Sequence, residues 1–232
     1  MIGIIVQLVI SWLLLWFVEK TDLRVFGLNP TRQRLSDLGI LFLITALCCA
    51  SGFIVRMWFG ERWVLNPGLS LALILEGVWW NIKSVLFEEL IFRGALLYIL
   101  IKRIGAVKAI ILSAIAFGIY HWFSFGIFGN AAQMIPVFVI TGLMGYVLAY
   151  GYAKTFSLYI PVAIHLGWNL TSSVIFSDTS IGNQLLIKAR PAKIVHVSYF
   201  TYYLVTWGPI LCALLINFIF LKKKKQVKSL PA

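Results

Sequence analysis

The chain has 232 residues, of which 61% are hydrophobic and 12% are charged, and its formal net charge is +12. Soluble domains are roughly 45–50% apolar and about 25% charged, so this composition excludes a soluble globular enzyme and a disordered chain and predicts an integral membrane protein. The basic residues lie mostly in short tracts between apolar runs, as the positive-inside rule expects, so the charge does not indicate a nucleic-acid partner.

Seven apolar segments follow one another along the chain and predict membrane-spanning helices. The first, residues 1–18, lacks a basic start and a small-residue cleavage site, so we expect a retained helix and not a signal peptide. Residues 19–37 are expected to form a loop. The other helices are expected over residues 38–59, 68–101, 109–125, 132–152, 157–176 and 197–221.

The third segment, residues 68–101, is too long for one perpendicular crossing. At about 1.5 Å per residue it would extend roughly 50 Å, whereas the hydrocarbon core of a bilayer is about 30 Å thick. We therefore expect a helix that is either strongly tilted or broken near Asn81.

The distribution of lysine and arginine predicts the orientation of these spans. Alternating the seven segments places 13 of the 20 basic residues on the side of the C-terminal tail and 5 on the opposite side. Because cytoplasmic loops carry the excess of basic residues, we expect the tail to be cytoplasmic and the N-terminus to lie outside.

Ionisable side chains inside apolar spans are costly in lipid and therefore indicate functional sites. Two of the three histidines and a quarter of the eight acidic residues fall in three short motifs within the spans. The motifs are Glu88-Glu89-Leu-Ile-Phe-Arg93, Phe117-Gly-Ile-Tyr-His121 and His165-Leu-Gly-Trp-Asn169.

Helical spacing predicts which of these side chains can act together. Glu89 and Arg93 are four residues apart and can pair on one face, whereas Glu88 lies about 100° round the helix and can face another neighbour. The other two motifs each begin and end four residues apart as well. Counted from the cytoplasmic ends of their helices, the polar groups of all three motifs fall roughly 16–23 Å deep, in one layer near the bilayer midplane.

Several kinds of chemistry fit such a layer. A carboxylate and an imidazole around one water form a general-base pair, and an imidazole with a carboxamide can stabilise a developing oxyanion. Together they suit hydrolysis of an amide bond without a covalent nucleophile. The same Glu/His/His set could instead bind Zn²⁺, although the H-E-x-x-H and H-x-x-E-H helices of zinc proteases are absent from the sequence.

The ordered set of motifs resembles the CAAX protease and bacteriocin-processing family of intramembrane endopeptidases. The resemblance lies in E-E-x-x-x-R-G at residues 88–94, F-x-x-x-H at residues 117–121 and H-x-x-x-N at residues 165–169. It implies an all-α membrane fold in which Glu88 is the general base and His121 helps to hold the attacking water. His165 and Asn169 would then form the oxyanion hole. The site-shaping residues implied are Glu89, Arg93 and Phe117.

These arguments give one set of expectations. The fold is an all-α polytopic bundle of about seven or eight transmembrane helices, a single membrane domain over residues 1–232 with a catalytic motif core over residues 84–175. The function is an intramembrane peptidase of the prokaryotic plasma membrane. It would act without a cofactor on a membrane-embedded or lipid-anchored peptide. The alternatives are a non-enzymatic immunity or scaffold protein and a zinc-dependent form of the same protease.

Overall fold

A computed structural model describes residues 2–177, 184–189 and 197–226, and in these ranges the chain is almost entirely helical. This confirms the predicted all-α class. The eight α-helices are α1 (Ile2–Leu14), α2 (Arg32–Trp58), α3 (Leu71–Arg93), α4 (Ala95–Ile104), α5 (Ala106–Ser124), α6 (Ala131–Thr155), α7 (Tyr159–Leu170) and α8 (Tyr199–Lys223). Two π-helical turns (Leu15–Glu19 and Thr171–Ile175), one 3₁₀ turn (Leu23–Phe26) and two short strands, β1 (Trp63–Leu65) and β2 (Leu186–Lys188), complete the described elements.

The long apolar helices make the protein an integral membrane bundle. Five helical segments in the described part of the chain are long and apolar enough to cross a membrane: Ile2–Glu19, Arg32–Trp58, Ala106–Ser124, Ala131–Thr155 and Tyr199–Lys223. The predicted spans that correspond to α3 and α7 differ from these. Five of the 23 residues of α3 are charged, and α7 has only 12 residues before its π-helical turn begins.

The 68–101 segment is broken, but not where the sequence suggested. Asn81 lies inside α3, where its Nδ2 donates to the Gly77 carbonyl at 2.8 Å, so the expectation of a break near Asn81 is wrong. The helix ends at Arg93, and Gly94 separates it from α4. A Cβ atom at Gly94 would collide with the carbonyl oxygen of Leu90, which is why the chain can turn only at a glycine here.

The predicted loop over residues 19–37 is also shorter than expected. The helix of the first span continues through a π-helical turn to Glu19, and α2 begins already at Arg32. Thr31 provides the start signal, because its Oγ1 accepts from the backbone N–H of Arg34 at 3.2 Å and satisfies one of the otherwise unpaired donors of the first turn.

The basic tracts used to predict orientation lie at helix ends. Lys102 and Arg103 are in the last turn of α4, Lys154 is in the last turn of α6, and Lys222 and Lys223 end α8. Cations at these positions also interact favourably with the helix dipole. Arg190, Lys193 and Lys228, which contribute to the charge asymmetry, lie outside the described residues.

The chain divides into two compact units. Unit 1 comprises Met1–Leu38, Leu86–Val162 and Phe218–Ala232, and unit 2 comprises Gly39–Val85 and Ala163–Asn217. The boundaries fall inside helices α2, α3, α7 and α8, so each of these helices contributes residues to both units. The expectation of a single membrane domain stays a prediction.

Unit 1 is built around the close approach of α5 and α6. A Cβ at Gly118 would lie 2.7 Å from Cδ2 of Phe138, and one at Gly145 would lie 3.1 Å from the Cβ of Phe117. Small residues allow two membrane helices to pack backbone against backbone, where dispersion contacts replace the missing hydrophobic driving force. The resulting closeness brings the backbone of α6 within reach of side chains on α3.

Unit 2 combines helix packing with a short antiparallel hairpin. Strands β1 and β2 pair in the register Trp63↔Lys188, and Phe53 stacks on Phe176 with ring centroids 4.1 Å apart. Between helices, Nδ2 of the fully buried Asn217 donates to Oγ1 of Thr45 at 2.8 Å. Such interhelical hydrogen bonds stabilise helix association in lipid, where no hydrophobic driving force brings the helices together.

The break between α3 and α4 generates a stability prediction. We expect Gly94→Ala to destabilise the protein by about 1–3 kcal/mol, since the new Cβ cannot avoid the Leu90 carbonyl without moving the backbone. Gly39→Ala is the matched control, because a Cβ there meets nothing within 4 Å and should stabilise α2 by about 1 kcal/mol. Thermal unfolding midpoints in detergent micelles measure both; equal midpoints for the two variants would contradict the steric explanation.

Candidate active site

The two adjacent glutamates at the C-terminal end of α3 have different neighbours. Glu89 pairs with Arg93 on its own helix, whereas Oε2 of Glu88 lies 4.0 Å from Nε2 of His121 on α5. This division follows from the helical rotation of about 100° between consecutive residues. One carboxylate is therefore tied to a fixed cation, and the other faces an imidazole.

The Glu89–Arg93 ion pair is completely buried. Nη1 of Arg93 donates to Oε1 of Glu89 at 3.1 Å, and both side chains have 0% exposure. Nη2 of Arg93 donates in addition to the backbone carbonyl of Gly145 at 3.2 Å. A buried guanidinium is tolerated only when its charge and its donors are satisfied inside the protein. Here the anion comes from α3 and a further acceptor comes from α6.

Phe117 of α5 completes the surroundings of the guanidinium. The Cζ of Arg93 lies 4.1 Å from the centroid of the Phe117 ring, which is a cation–π distance, and Phe92 meets the same ring edge-on at 5.1 Å. Phe117 is itself 0% exposed. The arginine therefore contacts three helices: it pairs with Glu89 on α3, lies over the Phe117 ring of α5 and donates to the Gly145 carbonyl of α6.

Phe117 also fixes the tautomer of His121 through its backbone. Nδ1 of His121 lies 2.7 Å from the Phe117 carbonyl oxygen, one helical turn away. A carbonyl can only accept, so Nδ1 carries the proton and donates it. In the neutral imidazole, Nε2 is then the nitrogen with the lone pair, and this is the atom that faces Glu88.

The 4.0 Å separation between Glu88 and His121 suits a shared water molecule. It exceeds the range of a direct hydrogen bond, which ends near 3.2 Å, whereas two bonds of about 2.8 Å to one water span such a gap comfortably. The side chains are 13% and 9% exposed respectively, so the gap lies in largely dehydrated surroundings. A carboxylate and a neutral imidazole around one water form a general-base arrangement.

Aromatic rings hold the imidazole in place from several sides. Tyr120 and Phe125 both meet His121 edge-on, with ring centroids 5.3 and 5.0 Å away. The sequence interpretation assigned no site role to Tyr120 or to Gly145. Tyr120 directly precedes His121 in the sequence, and this position could have indicated a contact with the imidazole. The Gly145 contribution is a backbone carbonyl, for which no side-chain signal exists.

His165 and Asn169 lie on one face of α7, in unit 2. His165 is 4% exposed and Asn169 is partly buried. Gly167, which is about 200° round the helix from both, packs against α2 so closely that a Cβ there would lie 2.6 Å from the Phe42 carbonyl oxygen. The histidine and asparagine therefore project away from α2. Their convergence with Glu88 and His121, which belong to unit 1, stays a prediction.

The π-helical turn Thr171–Ile175 follows these two residues directly. Single π-turns inside helices are frequent at functional sites. Two hydroxyl groups bond to carbonyls one turn earlier: Oγ1 of Thr171 donates to Gly167 at 2.8 Å and Oγ of Ser172 donates to Trp168 at 3.0 Å.

A metal ion would need more ligands than the described residues of either unit bring together. Within each unit, the residues that the structure describes include no group of three or more His, Cys, Asp or Glu side chains placed to hold a metal ion. Zinc sites in proteins need at least three such ligands. Glu88 and His121 would supply two.

Comparison with known proteins identifies the segment that carries these residues. Residues 70–171 match the family model described as type II CAAX prenyl endopeptidase Rce1-like. The segment is similar to members of this family. The match confirms the resemblance inferred from the three motifs. No curated protein and no solved structure gives a significant match to the chain.

The Rce1-like segment contains every residue predicted for the site, from Glu88 to Asn169. It also contains Gly94 and Gly145, the two glycines on which the local geometry depends. At the level of the family, this similarity supports an intramembrane endopeptidase.

The buried ion pair leads to a prediction about stability. We expect Arg93→Met to destabilise the protein by about 3–5 kcal/mol, because the substitution leaves the Glu89 carboxylate buried without its cation. The double variant Glu89→Gln/Arg93→Met should recover most of that loss, since no charge is then buried. Thermal unfolding midpoints of the wild type, the two single variants and the double variant form the required cycle. Additive losses in the double variant would show that the pair is not coupled.

Proposed function

We propose that this protein hydrolyses a peptide bond of a membrane-embedded or lipid-anchored peptide with a water molecule activated by Glu88 and His121. The observation that carries the proposal is the 4.0 Å gap between Oε2 of Glu88 and Nε2 of the imidazole, with the opposite ring nitrogen donating to the Phe117 carbonyl. That hydrogen bond leaves the lone pair on the nitrogen that faces the carboxylate.

In the proposed reaction, the water donates one hydrogen bond to Glu88 and one to Nε2 of His121. As the water oxygen attacks the carbonyl carbon of the scissile bond, Glu88 takes its proton and the carbonyl oxygen becomes an oxyanion. When the tetrahedral intermediate collapses, the C–N bond breaks and the protonated Glu88 returns the proton to the leaving amine. Atoms and charges balance without a covalent enzyme intermediate.

The oxyanion is assigned to His165 and Asn169. An imidazole N–H and a carboxamide N–H are suitable donors to a developing alkoxide, and their spacing of one helical turn allows both to aim at one point. Their burial in α7 supports this role, because hydrogen bonds to a developing charge are strongest where water is excluded. In this scheme Glu89, Arg93 and Phe117 hold the geometry and do not contact the substrate.

The test is cleavage of a farnesylated C-a-a-X peptide and its unprenylated twin by the purified protein. We expect Glu88→Gln and His121→Ala to lower kcat by at least about 10²–10⁴-fold, since each removes a group that handles the proton. Glu76→Gln is the matched control, because Glu76 is an exposed glutamate on the same helix and should be dispensable. Normal cleavage by folded Glu88→Gln protein would refute the mechanism.

Two further arms of this experiment separate the remaining roles. Asn169→Ala should lower kcat by about 10²–10³-fold with little change in KM, as expected for a donor that acts on the oxyanion.

Chelators should leave activity intact; loss on chelation with recovery on adding Zn²⁺ would establish the zinc-dependent alternative. If neither peptide is cleaved, a peptide that accumulates uncleaved in both a deletion strain and a Glu88→Ala strain, but not in the wild-type strain, identifies the natural substrate. Full biological function of the Glu88→Ala strain would instead support a non-enzymatic immunity or scaffold role.

We further propose that the protein spans the plasma membrane of a prokaryote with its basic C-terminal tail in the cytoplasm. The support is the excess of lysine and arginine on the side of the tail. Cysteine-accessibility labelling tests the orientation: in intact cells a membrane-impermeant thiol reagent should label a cysteine introduced at Glu61 and spare one introduced at Lys223. The reverse pattern would overturn the assignment.

A further inference from the structure

A cavity with a polar lining lies in unit 1, away from the residues assigned to catalysis. It has a volume of about 510 Å³ and forms where α2 begins, α6 ends and the chain leaves α8. Cations and hydroxyl groups dominate its lining. The residues that matter for the argument are Arg34, Lys224, Lys225, Thr31, Thr155 and Ser157.

The walls of the cavity are fixed by hydrogen bonds between two segments far apart in sequence. The backbone N–H of Leu158 donates to the Phe26 carbonyl at 2.9 Å. The hydroxyl groups of Tyr152 and Tyr159 donate to the carbonyls of Val25 and Leu28, each at 3.0 Å. The segment before α2 is thereby fastened to the connection between α6 and α7, so the cavity is part of the folded structure of unit 1.

The charges around the cavity favour an anion. Asp37 is the one carboxylate among the described lining residues, and its Oδ1 accepts from Nζ of Lys224 at 2.5 Å and from Nε2 of Gln33 at 2.9 Å. This pair neutralises itself, whereas Arg34 and Lys225 add two further positive charges to the lining. A guanidinium and an ammonium group at one polar cavity are the usual protein partners of a phosphate group.

Ser157 gives an independent indication of a ligand. It lines the cavity with 2% exposure, and among the described residues its Oγ has no hydrogen-bond partner. Thr155 differs, because its hydroxyl donates to the Gly151 carbonyl at 2.8 Å. Buried hydroxyl groups nearly always find a partner. An oxygen atom of a bound anion would accept a hydrogen bond from the Ser157 hydroxyl.

We propose that this cavity binds a phosphate group, carried either by the headgroup of an anionic phospholipid or by a soluble phosphate compound. Arg34 and Lys225 would provide the charge and Ser157 a directed hydrogen bond. Basic pockets between membrane helices bind phospholipid headgroups in this way, and the last turn of α8 and the first turn of α2 place the cavity at helix ends. The inference does not depend on the proposed peptidase activity.

The experiment uses the full-length protein in a neutral detergent at about 0.15 M salt, where surface charges are screened beyond about 8 Å. The probes are dihexanoyl phosphatidylglycerol, dihexanoyl phosphatidylcholine and inorganic phosphate, and the thermal unfolding midpoint is measured against probe concentration. We expect phosphatidylglycerol to raise the midpoint of the wild type. Ser157→Ala and Lys225→Gln should weaken its apparent affinity about five- to tenfold each, as the loss of one directed donor or one cation implies.

Lys223→Gln is the matched control, because it removes the same charge two residues earlier from an exposed lysine outside the cavity lining. It should change the affinity less than about twofold, because Lys223 does not line the cavity whereas Lys225 does. Equal losses for the two lysine variants, with Ser157→Ala unchanged, would show unspecific surface attraction and overturn the proposal. So would the absence of a shift with every probe. Stabilisation by phosphatidylglycerol alone identifies a lipid headgroup, whereas equal stabilisation by inorganic phosphate identifies a soluble ligand.

Discussion

A charge inside an apolar helix bundle must be balanced within the protein, and the Glu89–Arg93 pair meets this requirement for two of the three charged residues of the first motif. The arginine also donates to the Gly145 carbonyl and lies over the Phe117 ring, so one cation connects α3, α5 and α6. Glu88 precedes the anion of this pair, and His121 follows the contacted ring by one turn. The spacing between carboxylate and imidazole therefore depends on a charge pair that does not itself take part in the proposed reaction.

The adjacent glutamates separate two tasks that one carboxylate could not perform. Glu89 is fully buried against Arg93, and the ion pair fixes its position. Glu88 faces the imidazole of His121 instead, whose Nδ1 bonds to the Phe117 carbonyl and whose Nε2 is directed at the carboxylate. In the proposed mechanism, the motif supplies one glutamate for structure and one for chemistry, and the helical rotation between neighbours keeps their surroundings apart.

The sequence predicted the helices well and their interruptions poorly, for one physical reason. Apolar length determines that a segment must cross or enter the bilayer, and most predicted spans agree with helices to within a few residues. The position of a break depends on a local clash. Asn81 is the more conspicuous polar residue of the 68–101 segment, yet its amide bonds within the helix, whereas Gly94 occupies a place where no side chain fits. The early start of α2 depends likewise on the capping hydroxyl of Thr31.

The sequence by itself determined the membrane class, the helical fold, the resemblance of the motif segment to a protease family and the pairing of Glu89 with Arg93. All of these follow from composition, order of motifs and a periodicity of 3.6 residues. Only the tertiary structure decided that Gly145 accepts from the arginine and that Glu88 stands 4.0 Å from His121. These distances connect separate helices. They are set by how closely small residues allow those helices to pack. The spacing of residues in the sequence describes positions within one helix and does not give the distance between two helices.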